Sequence, residues 1–211
     1  MKKFIKLNVA LIALIGSTFA MANEEETQPA QASTSGFYIG AGYGTFDAVT
    51  DNEWDNTYRY GRLVENTSGD TTKLYAGYAF NRIISIEASY SDYGDTLGVV
   101  NIGFNPQAVH QSPKAISIAA NAGYSFDNGW RAFGLLGLSS VDLNSSYDYL
   151  DTDSPTAIKW GFGGEYTPAG LKGFQLRLAF EADTYFAEAE RYFADDDLYA
   201  FSLTSIYVGA S

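Results

Sequence analysis

From residue 37 onward, apolar and polar side chains alternate with a period of two, which predicts β-strands rather than helices. In the first segment Phe37, Ile39, Ala41 and Tyr43 share one face, and Tyr38 and three glycines share the other. The same alternation marks eight segments, at residues 37–44, 72–81, 84–91, 116–126, 130–141, 158–166, 174–183 and 199–207. Each segment is about ten residues long, the length that a tilted strand needs to cross a bilayer.

One segment has a less obvious face. In the fifth, we assign alternate residues to the apolar face, namely Trp130, Ala132, Leu136 and Leu138. Arg131 then points the other way, although Phe133 and Leu135 favour the opposite choice. In the last segment the apolar stripe is assigned to Tyr199, Phe201, Leu203 and Tyr207. These apolar faces are expected to contact lipid.

The connections between the segments alternate in length. Three are short, at residues 81–82, 127–129 and 167–173, and four are long, at residues 48–70, 94–113, 142–155 and 186–196. Long loops at one end and tight turns at the other are typical of outer-membrane barrels, whereas a soluble sandwich does not require that asymmetry. The sequence therefore predicts an all-β fold: an eight-stranded antiparallel up-and-down transmembrane β-barrel with four long outer loops and three short periplasmic turns.

The faces opposite the apolar stripes carry charged residues. The lumen of an eight-stranded barrel is just wide enough for side chains to fill it. We therefore expect one confined interior cluster, formed by Glu87, Lys159, Glu165, Arg177, Glu181 and Asp183. Buried charges must be paired, so the excess of acid indicates that Lys73 or Arg131 joins the cluster or that a carboxylate is protonated. A structural salt-bridge plug that fixes the register is favoured over a gated polar pathway or a proton relay, because a filled lumen conducts poorly.

The N-terminus has the order of an export signal. Three lysines precede an apolar run at residues 7–19, and Ala20-Met21-Ala22 follows as a cleavage site. We divide the chain into a signal peptide at residues 1–22, a polar flexible leader at residues 23–35 and the barrel at residues 36–211. The predicted location is the cell outer membrane, reached after cleavage of the signal peptide.

Composition excludes several classes of protein. The chain has 25 Asp and Glu against 13 Lys and Arg, a net charge of -12, which argues against a nucleic-acid partner. It has no cysteine and a single histidine, His110, so no disulfide framework or multi-histidine metal site is available. Tyrosine and phenylalanine are too abundant for a disordered acidic chain. We expect no cofactor and no metal site.

Several of the predicted strands resemble known barrels. Residues 36–44 (GFYIGAGYG) resemble the first strand of the outer-membrane protein A-like transmembrane barrel family, which includes the eight-stranded OmpX- and opacity-type relatives. Residues 74–78 and 86–90 resemble its second and third strands, and residues 161–166 its sixth. The resemblance implies a monomeric barrel in contact with outer-membrane lipids and lipopolysaccharide. Some small members are adhesins or accessory colonisation factors, so the resemblance also implies a host-surface or envelope partner.

Specificity in such a scaffold is expected in the loops. The candidate interaction residues are aromatic or cationic side chains of the first and third outer loops, namely Trp54, Tyr58, Arg59, Tyr60, Tyr147 and Tyr149. Tyr, Trp and Arg are the side chains most enriched at binding hot spots. The predicted function is an adhesin, an interaction surface or a structural envelope component. Two aspartate groups, at residues 151–153 and 195–197, could bind calcium, but solvated loop acids are the default interpretation.

Two alternatives remain. One is a narrow channel for small solutes. The other is a lipid A-modifying hydrolase, because His110-Gln111-Ser112 has the His-x-Ser spacing of outer-membrane deacylases. A histidine can activate a serine for acyl transfer when an acid orients it. The pair lies in a predicted loop, Pro113 follows it, and no third partner can be named from the sequence. We therefore predict that the protein is not an enzyme and assign no catalytic residue.

Overall fold

The computed structural model describes residues 35–50, 64–66, 68–102, 105–144, 154–171, 173–188 and 198–211. The predicted signal peptide and nearly all of the predicted leader lie outside the described residues. The strands are β1 (Gly36–Thr50), β2 (Val64–Asn66), β3 (Ser68–Ala79), β4 (Ile84–Asp92), β5 (Thr96–Ile102), β6 (Asn105–Gln111), β7 (Lys114–Ser125), β8 (Trp130–Asp142), β9 (Thr156–Tyr166), β10 (Leu176–Glu188) and β11 (Leu198–Ala210). Among the described residues, no helix is long and apolar enough to cross a membrane.

Eight of these strands form a closed barrel, in the order β1-β11-β10-β9-β8-β7-β4-β3, and every neighbouring pair is antiparallel. Closure leaves no sheet edge, which is the condition for placing β-structure in lipid. Short connections join β3 to β4, β7 to β8 and β9 to β10 at one end, where Gly36 and Ser211 also lie. The predicted eight-stranded antiparallel barrel is confirmed.

The register fixes the tilt of the strands. One circuit of paired residues runs through Tyr38, Gly77, Glu87, Ala119, Gly137, Lys159, Asp183, Leu203 and Ala48. The circuit leaves β1 at Tyr38 and returns to it at Ala48, ten residues further along. With about 3.3 Å per residue and about 4.8 Å between strands, this shear corresponds to a tilt of about 40°.

The outward face of the barrel strands carries mostly apolar side chains. Outward side chains include Ile39 and Leu74 on neighbouring strands, and Leu136 and Phe162 further round the barrel. Aromatic rings pack in pairs near the short turns, such as Trp130 with Tyr166 at 4.8 Å between ring centroids. An apolar band with aromatic girdles is the outer surface of a membrane barrel, so the end with the short turns is the periplasmic end.

The structure confirms the lipid face assigned on β8 and corrects the one assigned on β11. On β8, Leu136 and Leu138 are exposed while Phe133 and Leu135 are buried in the lumen, as the position of Arg131 indicated. On β11 the prediction is wrong, because Leu203 and Tyr207 point inward and Ile206 and Val208 point to lipid. Tyr207 is better placed inside, where its hydroxyl finds a buried acceptor.

A second sheet occupies parts of the two regions predicted as the first two outer loops. Strands β2, β5 and β6 form a three-stranded sheet in the order β2-β5-β6, and β5 and β6 form a hairpin from Thr96↔Gln111 to Ile102↔Asn105. Its sequence includes Val99, Val100 and Val109, and β-branched residues favour strands. The outer end of the barrel therefore carries ordered β-structure beyond the eight barrel strands.

Candidate functional site: the charged lumen

Eight charged side chains meet inside the barrel in two clusters. The lower cluster, nearer the periplasmic end, consists of Glu87, Arg131, Glu165 and Arg177. The upper cluster, nearer the outer end, consists of Lys73, Lys159, Glu181 and Asp183. Each cluster has two carboxylates and two cations, so each is formally neutral. Seven of the eight are almost completely buried, and Arg131 at the periplasmic mouth is the partly exposed one.

Arg177 organises the lower cluster. Its guanidinium donates two parallel hydrogen bonds to Glu87, with Nη1 to Oε1 at 3.0 Å and Nη2 to Oε2 at 2.8 Å. Its Nε donates to Glu165 Oε1 at 2.9 Å. The guanidinium carbon lies 4.1 Å from the ring centroid of Tyr75 and 5.0 Å from that of Phe133. A planar guanidinium suits this arrangement, because it can fork to carboxylates and stack on rings at once.

Arg131 and two neutral side chains, Asn121 and Tyr38, complete the hydrogen bonding of the lower cluster. Arg131 donates to Glu165 Oε2 at 2.8 Å and to Asn121 Oδ1 at 2.8 Å. The Tyr38 hydroxyl donates to Glu87 Oε2 at 2.9 Å. The four oxygens of the two carboxylates therefore all accept hydrogen bonds, which offsets part of the cost of burying them.

Glu181 and Asp183 organise the upper cluster. Glu181 Oε2 binds both lysine ammonium groups, Lys73 and Lys159, and the second lies at 3.0 Å. Tyr207 donates to Glu181 Oε1 at 2.6 Å. The Nζ atom of Lys159 also lies 3.4 Å from Asp183 Oδ2. These contacts cross the lumen, because Lys73 on β3 and Glu181 on β10 do not lie on neighbouring strands.

Asp183 has two further donors. Ser139 donates to its Oδ1 at 2.6 Å, and the hydroxyl of Tyr93 donates to its Oδ2. Tyr93 lies outside the barrel strands, between β4 and β5, yet its side chain is fully buried. Burial and the neighbouring Asp183 carboxylate raise the pKa of Tyr93 well above its usual value, so this hydroxyl remains a donor.

Apolar side chains separate and cover the charges. Tyr75, Phe133 and Leu135 fill the lumen around the charged groups. An outer apolar cap lies around and beyond Asp183, formed by Phe46, Tyr93, Ala115, Val141, Leu143, Ala157, Tyr185 and Leu203. Glycine makes room for an inward side chain and for the neighbouring strand: a Cβ on Gly163 would clash with the backbone carbonyl oxygen of Leu178 and lie 2.8 Å from the Phe133 ring. Among the described residues, packed side chains therefore fill the lumen from the lower cluster, through the upper cluster, to the outer apolar cap.

The sequence predicted which charged residues face the lumen better than it predicted which of them contact each other. All six predicted cluster residues lie in the lumen, but they divide between two clusters instead of forming one. Both Lys73 and Arg131 join them, so ion pairing balances the acids. Sequence reasoning missed the two tyrosine donors of the upper cluster, Tyr207 and Tyr93, since the stripe assignment puts Tyr207 on the lipid face and Tyr93 lies outside the period-two pattern.

The six loop candidates belong to parts of the chain that the structure does not describe. Trp54, Tyr58, Arg59, Tyr60, Tyr147 and Tyr149 lie outside the described residues, as do the two aspartate groups considered for calcium. Within the described parts of the chain, no group of three or more His, Asp or Glu side chains is arranged to hold a metal ion.

The His-x-Ser pair lies at the end of β6 and the residue after it. His110 is exposed, and the hydroxyl of Ser112 donates to the carboxylate of Asp95. In a hydrolytic triad the serine hydroxyl donates to the histidine and the histidine to the acid. Here the acid receives the serine hydroxyl directly, which is not the order that acyl transfer requires.

Comparison with known proteins agrees with this architecture. The family model described as "Outer membrane protein beta-barrel domain" matches residues 10–211. Among solved structures, the outer membrane protein OprG from Pseudomonas aeruginosa is similar with a TM-score of 0.58 and 11% identity, over 86% of this chain and 97% of that chain. Neisserial surface protein A is similar with a TM-score of 0.53 and 12% identity, over 84% and 97%. No curated protein gave a significant match. The two structural likenesses show the fold, and the family match shows that this chain belongs to the outer membrane protein β-barrel domain family and is a protein of the outer membrane.

Proposed function

We propose that this protein is a surface-binding barrel, in which the transmembrane part is a rigid scaffold and the outer loops bind a host surface or another envelope component. The observation that supports this proposal is the filled lumen. Two neutral ion clusters and the outer apolar cap occupy the interior. Chemistry available to a partner then lies on the outer loops, where Trp54, Tyr58 and Tyr147 are the leading anchors.

The same observation disfavours the channel alternative. A solute crossing the lumen would have to break ion pairs that are buried on all sides, including the bidentate pair of Arg177 and Glu87. We expect no unitary conductance from the purified barrel in planar bilayers. Regular conductance steps that change in Glu87→Gln or Lys159→Met would contradict the proposal and favour a channel.

We also propose that the protein is not a hydrolase, which the donation from Ser112 to Asp95 supports. Lipid A extracted from expressing cells should keep its full set of acyl chains, and His110→Ala should leave its mass spectrum unchanged. Shortened lipid A that regains its length in His110→Ala would favour the hydrolase instead.

The direct test is attachment of cells that express loop variants. The first variant replaces Trp54, Tyr58 and Tyr60 with alanine, and a second replaces Tyr147 and Tyr149. The matched control replaces two small polar residues of the same third loop, Ser145→Ala and Ser146→Ala, and so leaves its aromatic side chains intact. We expect attachment to epithelial-type surfaces to fall in the aromatic variants only.

Folding must be checked in the same samples. Heat-modifiable gel mobility reports whether each variant barrel is closed, because a folded barrel migrates differently from the boiled chain. Attachment that is unchanged in both aromatic variants, with folded barrels, would refute the adhesin form of the proposal. A structural envelope role would then be tested by the sensitivity of deletion cells to detergent.

We propose that the barrel acts as a monomer embedded among outer-membrane lipids and lipopolysaccharide.

A further inference from the structure

One side chain from outside the barrel wall enters the outer mouth of the lumen. Tyr93 follows the last residue of β4, at the point where the chain leaves the barrel for the β5–β6 hairpin. The side chain points inward and is fully buried, instead of following the chain outward. Its ring contacts Phe46 edge-on at 5.5 Å between centroids, within the outer apolar cap.

The hydroxyl of Tyr93 reaches the far side of the barrel. It donates to Asp183 on β10, and β4 and β10 lie opposite each other, with three strands between them in either direction. The acceptor belongs to the upper cluster, where Lys159 and Ser139 also bind it. The contact therefore joins the root of an outer hairpin to an ion-paired group across the full width of the mouth.

The backbone around Tyr93 is held at both sides of the hairpin root. The amide of Tyr93 donates to the carbonyl of Pro113 at 2.9 Å, which joins the two chains that lead into and out of the hairpin. Gly94 has φ of 69° and its amide donates to the Asp92 carboxylate at 3.0 Å. A Cβ on Gly94 would lie 2.8 Å from the carbonyl oxygen of Asp70. The turn that directs Tyr93 inward therefore favours glycine for two reasons, the positive φ and the close backbone contact.

We propose that Tyr93 is a crossbar that closes the outer mouth of the lumen and fixes the root of the β5–β6 hairpin by binding Asp183. Loss of the hydroxyl contact releases the hairpin root and loosens the outer apolar cap, while the barrel wall below stays intact. The inference is independent of the surface-binding proposal, since it concerns how the hairpin is held and not what it binds.

Hydrogen exchange of the full-length protein in phospholipid nanodiscs tests this crossbar. Amides of the β5–β6 ladder report the hairpin, and amides of the β8–β9 ladder report the barrel wall. A hydrogen bond to a charged acceptor contributes enough stabilising free energy that its loss in Tyr93→Phe should raise the exchange rate of the hairpin amides about tenfold or more. The wall amides should change less than about twofold. Gly94→Ala, which disturbs the turn without removing the hydroxyl, should raise hairpin exchange in the same way.

The matched control is Tyr90→Phe, because Tyr90 lies on β4 just before Tyr93 and its hydroxyl contacts Asp92 on the exposed side of the barrel. A double substitution supplies the second measurement: Tyr93→Phe combined with Asp183→Asn should raise hairpin exchange no further than the larger single effect. Unchanged hairpin exchange in Tyr93→Phe would overturn the proposal. So would an equal rise in Tyr90→Phe, additive effects of the two substitutions, or an equal rise in the wall amides.

Discussion

The strongest quantitative expectation concerns Arg177. Among the described residues, Arg177 is the side chain that binds both Glu87 and Glu165, and replacing it with methionine leaves these two buried carboxylates with Arg131 as the one remaining guanidinium of the lower cluster. Removing one partner of a buried ion pair costs about 3–5 kcal/mol, because the other charge stays buried without compensation. Methionine fills much of the space between the Tyr75 ring and its neighbours, so the change is mainly electrostatic.

The assay is the free energy of unfolding in urea of barrels refolded into phospholipid vesicles. Arg177→Met should lose about 3–5 kcal/mol, and Arg177→Lys should lose less, because an ammonium keeps the charge but not the fork. The double variant Arg177→Met with Glu87→Gln should be more stable than Arg177→Met alone, since one uncompensated charge has gone. A loss below about 1 kcal/mol in Arg177→Met, or a double variant that is less stable than the single one, would refute the argument from buried charge.

Three more expectations follow from the same interior and wall. Gly163→Ala should lose about 1–3 kcal/mol of unfolding free energy, because its Cβ would clash with the backbone carbonyl oxygen of Leu178 on β10 and press on the Phe133 ring. Gly164→Ala, whose Cβ would meet nothing closer than 4.0 Å, should be nearly neutral, and equal losses would contradict this packing. Leu136→Lys on the lipid face should cost about 2–4 kcal/mol in vesicles, and Ser140→Lys near the outer interface about 0–1 kcal/mol. A larger cost for the serine variant would mean that the apolar band is misplaced. Tyr207→Phe should lose about 1.5–3 kcal/mol, because its hydroxyl donates to a buried carboxylate, and circular dichroism melting would detect the loss.

The barrel itself could be predicted from the sequence because the period of two is strong and the lipid face tolerates little but apolar side chains. Leu136 and Phe162, for example, fall on the outside as soon as the strands are recognised. The lumen face carries less information, because it accepts charged, aromatic and small residues together. That is why Tyr207 was placed on the wrong face, although its neighbours Ile206 and Val208 had the right parity for lipid.

The pairing inside the lumen could not be predicted for a different reason. Parity indicates which way a side chain points, but contacts across the lumen depend on the register around the whole barrel. Lys73 and Glu181 are 108 residues apart and meet only because the circuit of strands advances by ten residues. The division into two neutral clusters is thus a property of the shear. Tyr93 lay beyond any periodic signal, since it is a single residue after the end of a strand.

The neutrality of the lumen also determines what the outside of the molecule presents to its surroundings. Four acids and four bases cancel inside the barrel, so the remaining 21 acids and 9 bases of the full sequence carry its net charge of -12. Removal of the predicted signal peptide, with Lys2, Lys3 and Lys6, makes this charge -15. An excess of acid outside the lumen repels other anionic surfaces over roughly one Debye length, about 8 Å at physiological ionic strength. Approach to an anionic cell coat should therefore become faster as salt is added, because dissolved ions screen this repulsion. The lumen charges do not contribute to the effect, because they are paired and buried away from the solution.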